Sequence, residues 1–178
     1  MRWTAPARLE WQPLGWAVVE ALTASERDSL EAMVDAQRSA IDALLDDITE
    51  DEARARLVPS LTTVLGLVKH ATFVERVWFD HRLGGRTRKE LDLPETVDES
   101  FVLEPTDTRE SVLATYRAAC ERSRALVAGR DLDELLDWRG TPVSLRWTLL
   151  HMIRELARHA GHGDILVEQL HERRSHRS

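Results

Sequence analysis

The sequence predicts an all-α four-helix bundle with a long crossover between its second and third helices. Three observations carry that reading. Apolar residues recur at helical spacing in four separate stretches of about 20 residues each. Start and stop residues bracket those stretches. One connection, residues 86–106, holds Pro94, Pro105, several acids and little periodicity, which permits a crossover rather than a tight hairpin.

Residues 1–22 carry Trp3, Trp11 and Trp16 with two prolines and follow no clean period. They read as a tryptophan-rich arm, either packed on the bundle or serving as a dimer contact or pocket wall. The bundle itself is expected over 23–172, followed by a polar, frayed tail at 173–178. Thr23-Ala-Ser-Glu26 is a capping-box pattern opening helix one, which runs to about Asp47 with Leu30, Met33, Val34, Ile41, Leu44 and Leu45. The acidic run 46–52 lacks calcium-loop spacing and a central glycine, and reads as a solvated turn. Pro59-Ser60 precedes helix two, with Ser60 as its expected N-cap. That helix runs to about Arg82 and carries His70 mid-way, between Leu67 and Val74. His81, near its end, reads as a helix-dipole partner. Helix three starts at Asp107 or Thr108 and ends at Gly129, with Cys120 as a small core residue. Residues 130–143 lead into helix four, 144–171.

Composition narrows the function. The chain has 178 residues and a net charge of −7, which suits one domain with a core and disfavours nucleic acid and anionic membrane as partners. No apolar run approaches a membrane span and no signal pattern opens the chain. With a single cysteine, a cytoplasmic setting is expected. Nucleotide-cradling glycine motifs, a G-x-S-x-G elbow, a cysteine pair and paired Glu-x-x-His motifs are all absent from the sequence.

The remaining chemistry lies on helix four. Leu145, Leu149, Met152, Ile153, Leu156, Ala160, Val167 and Leu170 share one arc, and beside it run His151, Glu155, His159 and His162. At about 100° per residue, Glu155 and His159 lie nearest the apolar arc. They are one turn apart and can aim an oxygen and a nitrogen at one point. His162 falls toward the rim and His151 further out, as a bystander. A third ligand must come from a facing helix, and His70 is the histidine placed mid-way along one. Such a His-Glu-His set has open positions, the pattern of a catalytic site, and suits zinc, nickel or ferrous iron. The spacing fits equally well a polar flank in which Glu155 pairs with Arg154 or Arg158.

Residues 59–70 (Pro-Ser-Leu-Thr-Thr-Val-Leu-Gly-Leu-Val-Lys-His), Val74-Glu-Arg-Val-Trp-Phe79, Ser144–Ile153 and Ala157-Arg-His-Ala-Gly-His-Gly-Asp164 together resemble the DinB/YfiT-like superfamily. Within it they resemble the mini-circle-type branch of unknown function, over about residues 24–172. The resemblance implies a four-helix bundle with a divalent metal between helices two and four. Many members use three histidines. Here Glu155 stands at the first helix-four position, which is similar to the His-Glu-His site of mycothiol-dependent maleylpyruvate isomerases. The implied ligands are His70, Glu155 and His159. His162, Trp78 and Trp147 are expected as outer partners or pocket wall, and no catalytic residue is singled out. Gly163 stands where the branch usually has alanine, a departure expected to matter little. Characterised relatives activate a low-molecular-weight thiol of the mycothiol or bacillithiol type for S-transfer or isomerisation on a small-molecule substrate. Such bundles commonly pair as homodimers, which the N-terminal tryptophans suit. Three readings stay open: a metal-dependent thiol S-transferase, a metal- or ligand-binding bundle without turnover, and a structural or interaction module.

Overall fold

In the computed structural model, which describes residues 21–176, four long helices carry the core. They are α1 (Glu26–Ala43), α2 (Val64–Glu75), α3 (Arg109–Val127) and α4 (Leu145–Ser175). The expected tryptophan-rich arm lies outside the described residues apart from its last two. Helix α1 packs along α4, α2 packs along α3, and α2 also lies against α4. Ile41, Leu45, Leu65, Leu67, Phe79, Tyr116, Leu145, Met152 and Leu156 are essentially solvent-free at their junction. Burying each such side chain stabilises the fold by about 1.5–3 kcal/mol.

Caps set the helix starts. Ser25 accepts from the Asp28 amide, so α1 begins at Glu26 and Thr23 lies in a preceding 3-10 turn. Helix α1 stops at Ala43, short of the expected Asp47. The acidic run then forms more than a solvated turn: Thr49 and Glu52 make a reciprocal cap over a single turn of helix, Glu50–Ala53. Arg174 grips Glu52 and holds its carboxyl down at about 2. That contact keeps α4 helical to Ser175, beyond the expected fraying point. The cap of α2 is Thr63, not Ser60, because the Ser60 hydroxyl is taken up by Thr62. Thr108 caps α3, as one of the two expected residues. Cys120 is buried, and that burial pushes its thiol up to about 12.

Two features were not visible in the periodicity. Helix α2 continues as a wider π-helical segment, Arg76–Leu83, closed by a Gly84 N–H to Phe79 carbonyl bond of 2.7 Å. Residues expected to be a plain connection form an antiparallel hairpin, β1 (Leu135–Trp138) and β2 (Thr141–Ser144), turning at Arg139 and Gly140, both at positive φ. The strands have four residues each and include Pro142, so they leave almost no alternating pattern to read.

Gly163 matters more than expected. A Cβ there would stand 2.3 Å from Leu44 Cδ1 and 3.0 Å from Leu44 Cγ. Glycine therefore lets α4 close onto the end of α1 without displacing a buried leucine.

A charged pair lies inside the bundle. Arg38 of α1 donates to both oxygens of Glu75 of α2, at 2.9 and 2.8 Å. The same guanidinium reaches Asp35 at 2.9 Å, and the Tyr116 hydroxyl donates to the Arg38 carbonyl at 3.3 Å. Glu75→Ala leaves a buried guanidinium without its main partner and is expected to cost about 3–5 kcal/mol in urea unfolding. Replacing both partners by apolar residues (Arg38→Met with Glu75→Leu) is expected to recover most of that loss. A single-variant loss below about 1 kcal/mol, the scale of a surface pair, would contradict this role.

Candidate metal centre

His70 reaches the α2/α4 interface because it shares the face of α2 that carries Leu67, Ala71 and Val74, all buried. It is itself only 2% exposed. Glu155 and His159 lie on successive turns of α4, beside the buried Met152, Leu156 and Ala160. The three meet. His159 Nε2 lies 3.2 Å from Glu155 Oε1, and His70 Nε2 lies 3.8 Å from the same oxygen. The His70 and His159 rings are 4.6 Å apart, edge to face.

Proton positions follow from a neighbour on the crossover. The Ser100 hydroxyl donates to the Val97 carbonyl at 2.5 Å. A hydroxyl has one hydrogen, so toward His70 Nδ1, at 2.7 Å, Ser100 can only accept. His70 therefore carries its proton on Nδ1, and its Nε2 presents a lone pair. That Nε2 is buried and has no hydrogen-bond partner; His159 Nδ1 is buried and unpartnered as well. Burial pushes His70 below the ordinary imidazole value, against the pull of Glu155. The hydrogen bond from His159, and then the closeness of the His70 ring, hold the Glu155 carboxyl far below the usual carboxylate range. A neutral imidazole lone pair thus faces an ionised carboxylate with no proton between them, and a cation would satisfy both.

The donor set fits one. A ligand atom from each residue lies within 4.8 Å of the others, and among the described residues no other group of three or more His, Cys, Asp or Glu is placed this way. Two bonds of about 2.1 Å to one ion separate ligand atoms by at most about 4.2 Å, so small side-chain movements would close the set.

The crossover covers this cluster. Its 3-10 turn, Asp98–Phe101, lays the Phe101 ring on His70 at 4.1 Å and 11°. Gly66, one turn before His70, allows the close approach: a Cβ there would lie 3.0 Å from the Phe101 carbonyl oxygen and 3.0 Å from Thr63 Oγ1. Lys69 fastens the same segment through the Val102 carbonyl (2.8 Å) and Asp107 (2.7 Å).

The mycothiol-S-transferase family model matches residues 29–172. The chain belongs to that family. The mycothiol-S-transferase family is DinB-like, as the resemblance in helices two and four implied. Comparison with curated proteins gives no match.

In this mycothiol-S-transferase family member, the three residues expected as ligands come together, while the outer residues divide. His162 is exposed at the rim, its ring 5.8 Å from that of His159. It lines a cleft of about 280 Å³ with Val58, Thr62, Ile165 and Leu166. Trp78 and Trp147 lie in contact further along the α2/α4 groove. His151 is not the exposed bystander expected: it is half-buried against both tryptophans, and Arg154 donates to its Nδ1 at 3.2 Å rather than pairing with Glu155. The sequence reading missed Ser100 and Phe101. Their one outward sign is a single aromatic residue inside an aperiodic loop rich in acids.

Ser100→Ala leaves the buried Nδ1–H of His70 without an acceptor and is expected to cost about 1–3 kcal/mol in unfolding. In metal-free protein, ¹⁵N imidazole spectra should show a pure Nδ1–H tautomer for His70, lost in Ser100→Ala and kept in Ser100→Thr. A pure Nε2–H signal in the unaltered protein would refute the assignment. Acid should also weaken the metal-free fold early. The folded His70 value lies below the unfolded one of about 6.5, so as pH falls through about 6.5 the unfolded chain takes up the proton first and stability drops. His151, lowered chiefly by burial, adds in the same direction. Glu155, being depressed, keeps its contribution until pH falls below about 4.3. Chemical unfolding of chelated protein at pH 7.5 and 5.5 checks this; equal stabilities would contradict it.

Proposed function

We propose that this protein is a metal-dependent thiol transferase, in which His70, Glu155 and His159 hold a divalent ion and a low-molecular-weight thiol of the mycothiol type is the first substrate. The observation that carries the reading is the buried, unpartnered His70 Nε2 facing an ionised Glu155. Leaving such groups unpaired is costly, and the family match supplies the class of reaction. A polar flank paired with arginine would not bury an open lone pair, and Arg154 is occupied elsewhere.

When bound, a divalent ion at this site would favour the thiolate form of a thiol, the nucleophilic form, near neutral pH. The chain's own residues prepare that site. Ser100 holds His70 in the tautomer whose Nε2 lone pair faces the cluster. Phe101 covers the imidazole and keeps water from one side. Glu155 contributes a negative charge, which makes the donor set harder than three imidazoles and is compatible with zinc, nickel or ferrous iron. In the transfer, the thiol proton passes to water, the sulfur lone pair forms a bond to an electrophilic carbon, and that carbon's bond to its leaving group breaks, the leaving group departing with the electron pair and taking up a proton from water. Glu155 and His159 are only half-buried, so reactants can approach the cluster from the α4 side, with Trp78 and Trp147 toward one end and the cleft beside His162 toward the other.

Protein purified without chelator is expected to contain one divalent ion per chain by elemental analysis. His159→Ala and His70→Ala should each weaken metal binding by more than about 100-fold, beyond the effect of losing an outer hydrogen-bond partner. Saturating metal should raise the melting temperature. Metal-free protein whose melting is indifferent to added metal and to chelator would overturn the proposal.

A further inference from the structure

Three tryptophans converge one step along the groove from the candidate centre. Trp78 comes from the π-helical segment, Trp138 from the end of β1 and Trp147 from the first turns of α4. Their ring centroids lie 5.7 Å (78–147), 5.7 Å (138–147) and 6.3 Å (78–138) apart. His151 completes the group, parallel to Trp147 at 5.2 Å and 2°, and 4.6 Å from Trp78. Trp78 is buried, yet Trp138 and Trp147 keep 39% and 38% of their surface in water. Large indoles locked against one another and still open on one side form a rigid face prepared for a ring.

The polar edge of this wall supplies donors. Arg82 lies over the Trp78 ring at 4.7 Å and donates to the Asp137 carbonyl. His151 accepts from Arg154 on Nδ1, so in its neutral form Nε2 carries the hydrogen. Arg82 Nε is buried and has no hydrogen-bond partner, so the edge keeps an N–H donor beside the imidazole N–H for the oxygens of a ligand. Stacking faces with scattered donors suit a neutral ring rich in hydroxyl groups, which offers C–H faces to indole and oxygens to the edge.

Position matches as well. Trp147, His151 and Glu155 are on successive turns of α4, so the wall starts about 6 Å from the cluster and ends about 12 Å away. In a thiol whose cysteinyl group is amide-linked to a sugar, about five covalent bonds separate sulfur from ring, roughly 6 Å extended.

We propose that the wall formed by Trp78, Trp138, Trp147 and His151 is the subsite for the cyclic polyol of the thiol substrate, seated while its sulfur lies at the His70–Glu155–His159 cluster. This rests on the thiol-transferase reading above. The cleft beside His162 is left for the acceptor.

The test uses zinc-loaded full-length protein with two probes: mycothiol, and the thiol-free glucosamine–inositol pseudodisaccharide. Expected are saturable shifts of the Trp138 and Trp147 indole N–H signals with both probes. Trp147→Ala and Trp138→Ala should each weaken mycothiol binding by about tenfold while zinc content stays at the unaltered level, and Trp147→Phe should restore part of it. Glutathione, which has no ring to stack on the wall, should not shift these indoles. If mycothiol binds the unaltered protein and both alanine variants equally, the wall is refuted and the thiol reading stands. If mycothiol fails to bind zinc-loaded protein at all, the thiol reading falls and the wall with it.

Discussion

Helix α2 carries two buried ionisable groups, His70 and Glu75, little more than one turn apart, and the bundle's organisation depends on how differently they are satisfied. Glu75 is closed: both its oxygens accept from Arg38, which also engages Asp35, while the Tyr116 hydroxyl bonds the Arg38 carbonyl. His70 is open: one nitrogen is tied to Ser100 and the other is buried without a partner. A closed group fixes which helices meet and at what height, because a shift by one turn would strand a charge in the core. An open group does the reverse and stores an unmet demand at a defined point. The first sets α1 against α2 so that the second faces α4 in register.

The crossover gives the long α2–α3 connection its purpose. A tight hairpin would join the same helices without placing anything over His70. The longer path lays Ser100 and Phe101 on the imidazole and is anchored through Gly66 and Lys69, all on neighbouring turns of α2. Backbone contact at Gly66 is decisive, since it sets the height at which the loop crosses. The groove toward α4 stays partly open on the other side of the cluster, where Glu155 and His159 are only half-buried.

How much of this could be read from residues alone depends on whether periodicity or partnership decides the position. Glu155 and His159 were legible because a 3.6-residue period places them beside the apolar arc of α4. His70 was legible as a histidine amid the apolar residues of a facing helix, and the resemblance added to it. Ser100 was not, because its role comes from a hydroxyl meeting an imidazole thirty residues away in sequence, and nothing local marks it. The hairpin was missed for want of alternation, and Trp138 was not singled out with Trp78 and Trp147. His151 was misjudged because angle on a wheel measures distance from the core arc and ignores a neighbour such as Trp78, which reaches across from the π-helical segment to cover that flank. Gly163 was underrated for a related reason: the space a glycine leaves is visible only once Leu44 is placed opposite it.

An open cluster of this kind couples stability to occupancy. Each buried polar atom without a partner costs about 1–3 kcal/mol, and His70 Nε2 and His159 Nδ1 are both of this type. Filling the cluster by protonation is disfavoured, because burial works against a charged His70. Filling it by rotation is blocked, because Ser100 and the stacked Phe101 hold the ring. A ligand that brings its own positive charge would satisfy the lone pair and the carboxylate together, and it would then bind the folded chain in preference to the unfolded one. The cost of leaving the His70 lone pair unpaired and the affinity available to a cation therefore have the same origin, the tautomer of His70 imposed by the crossover.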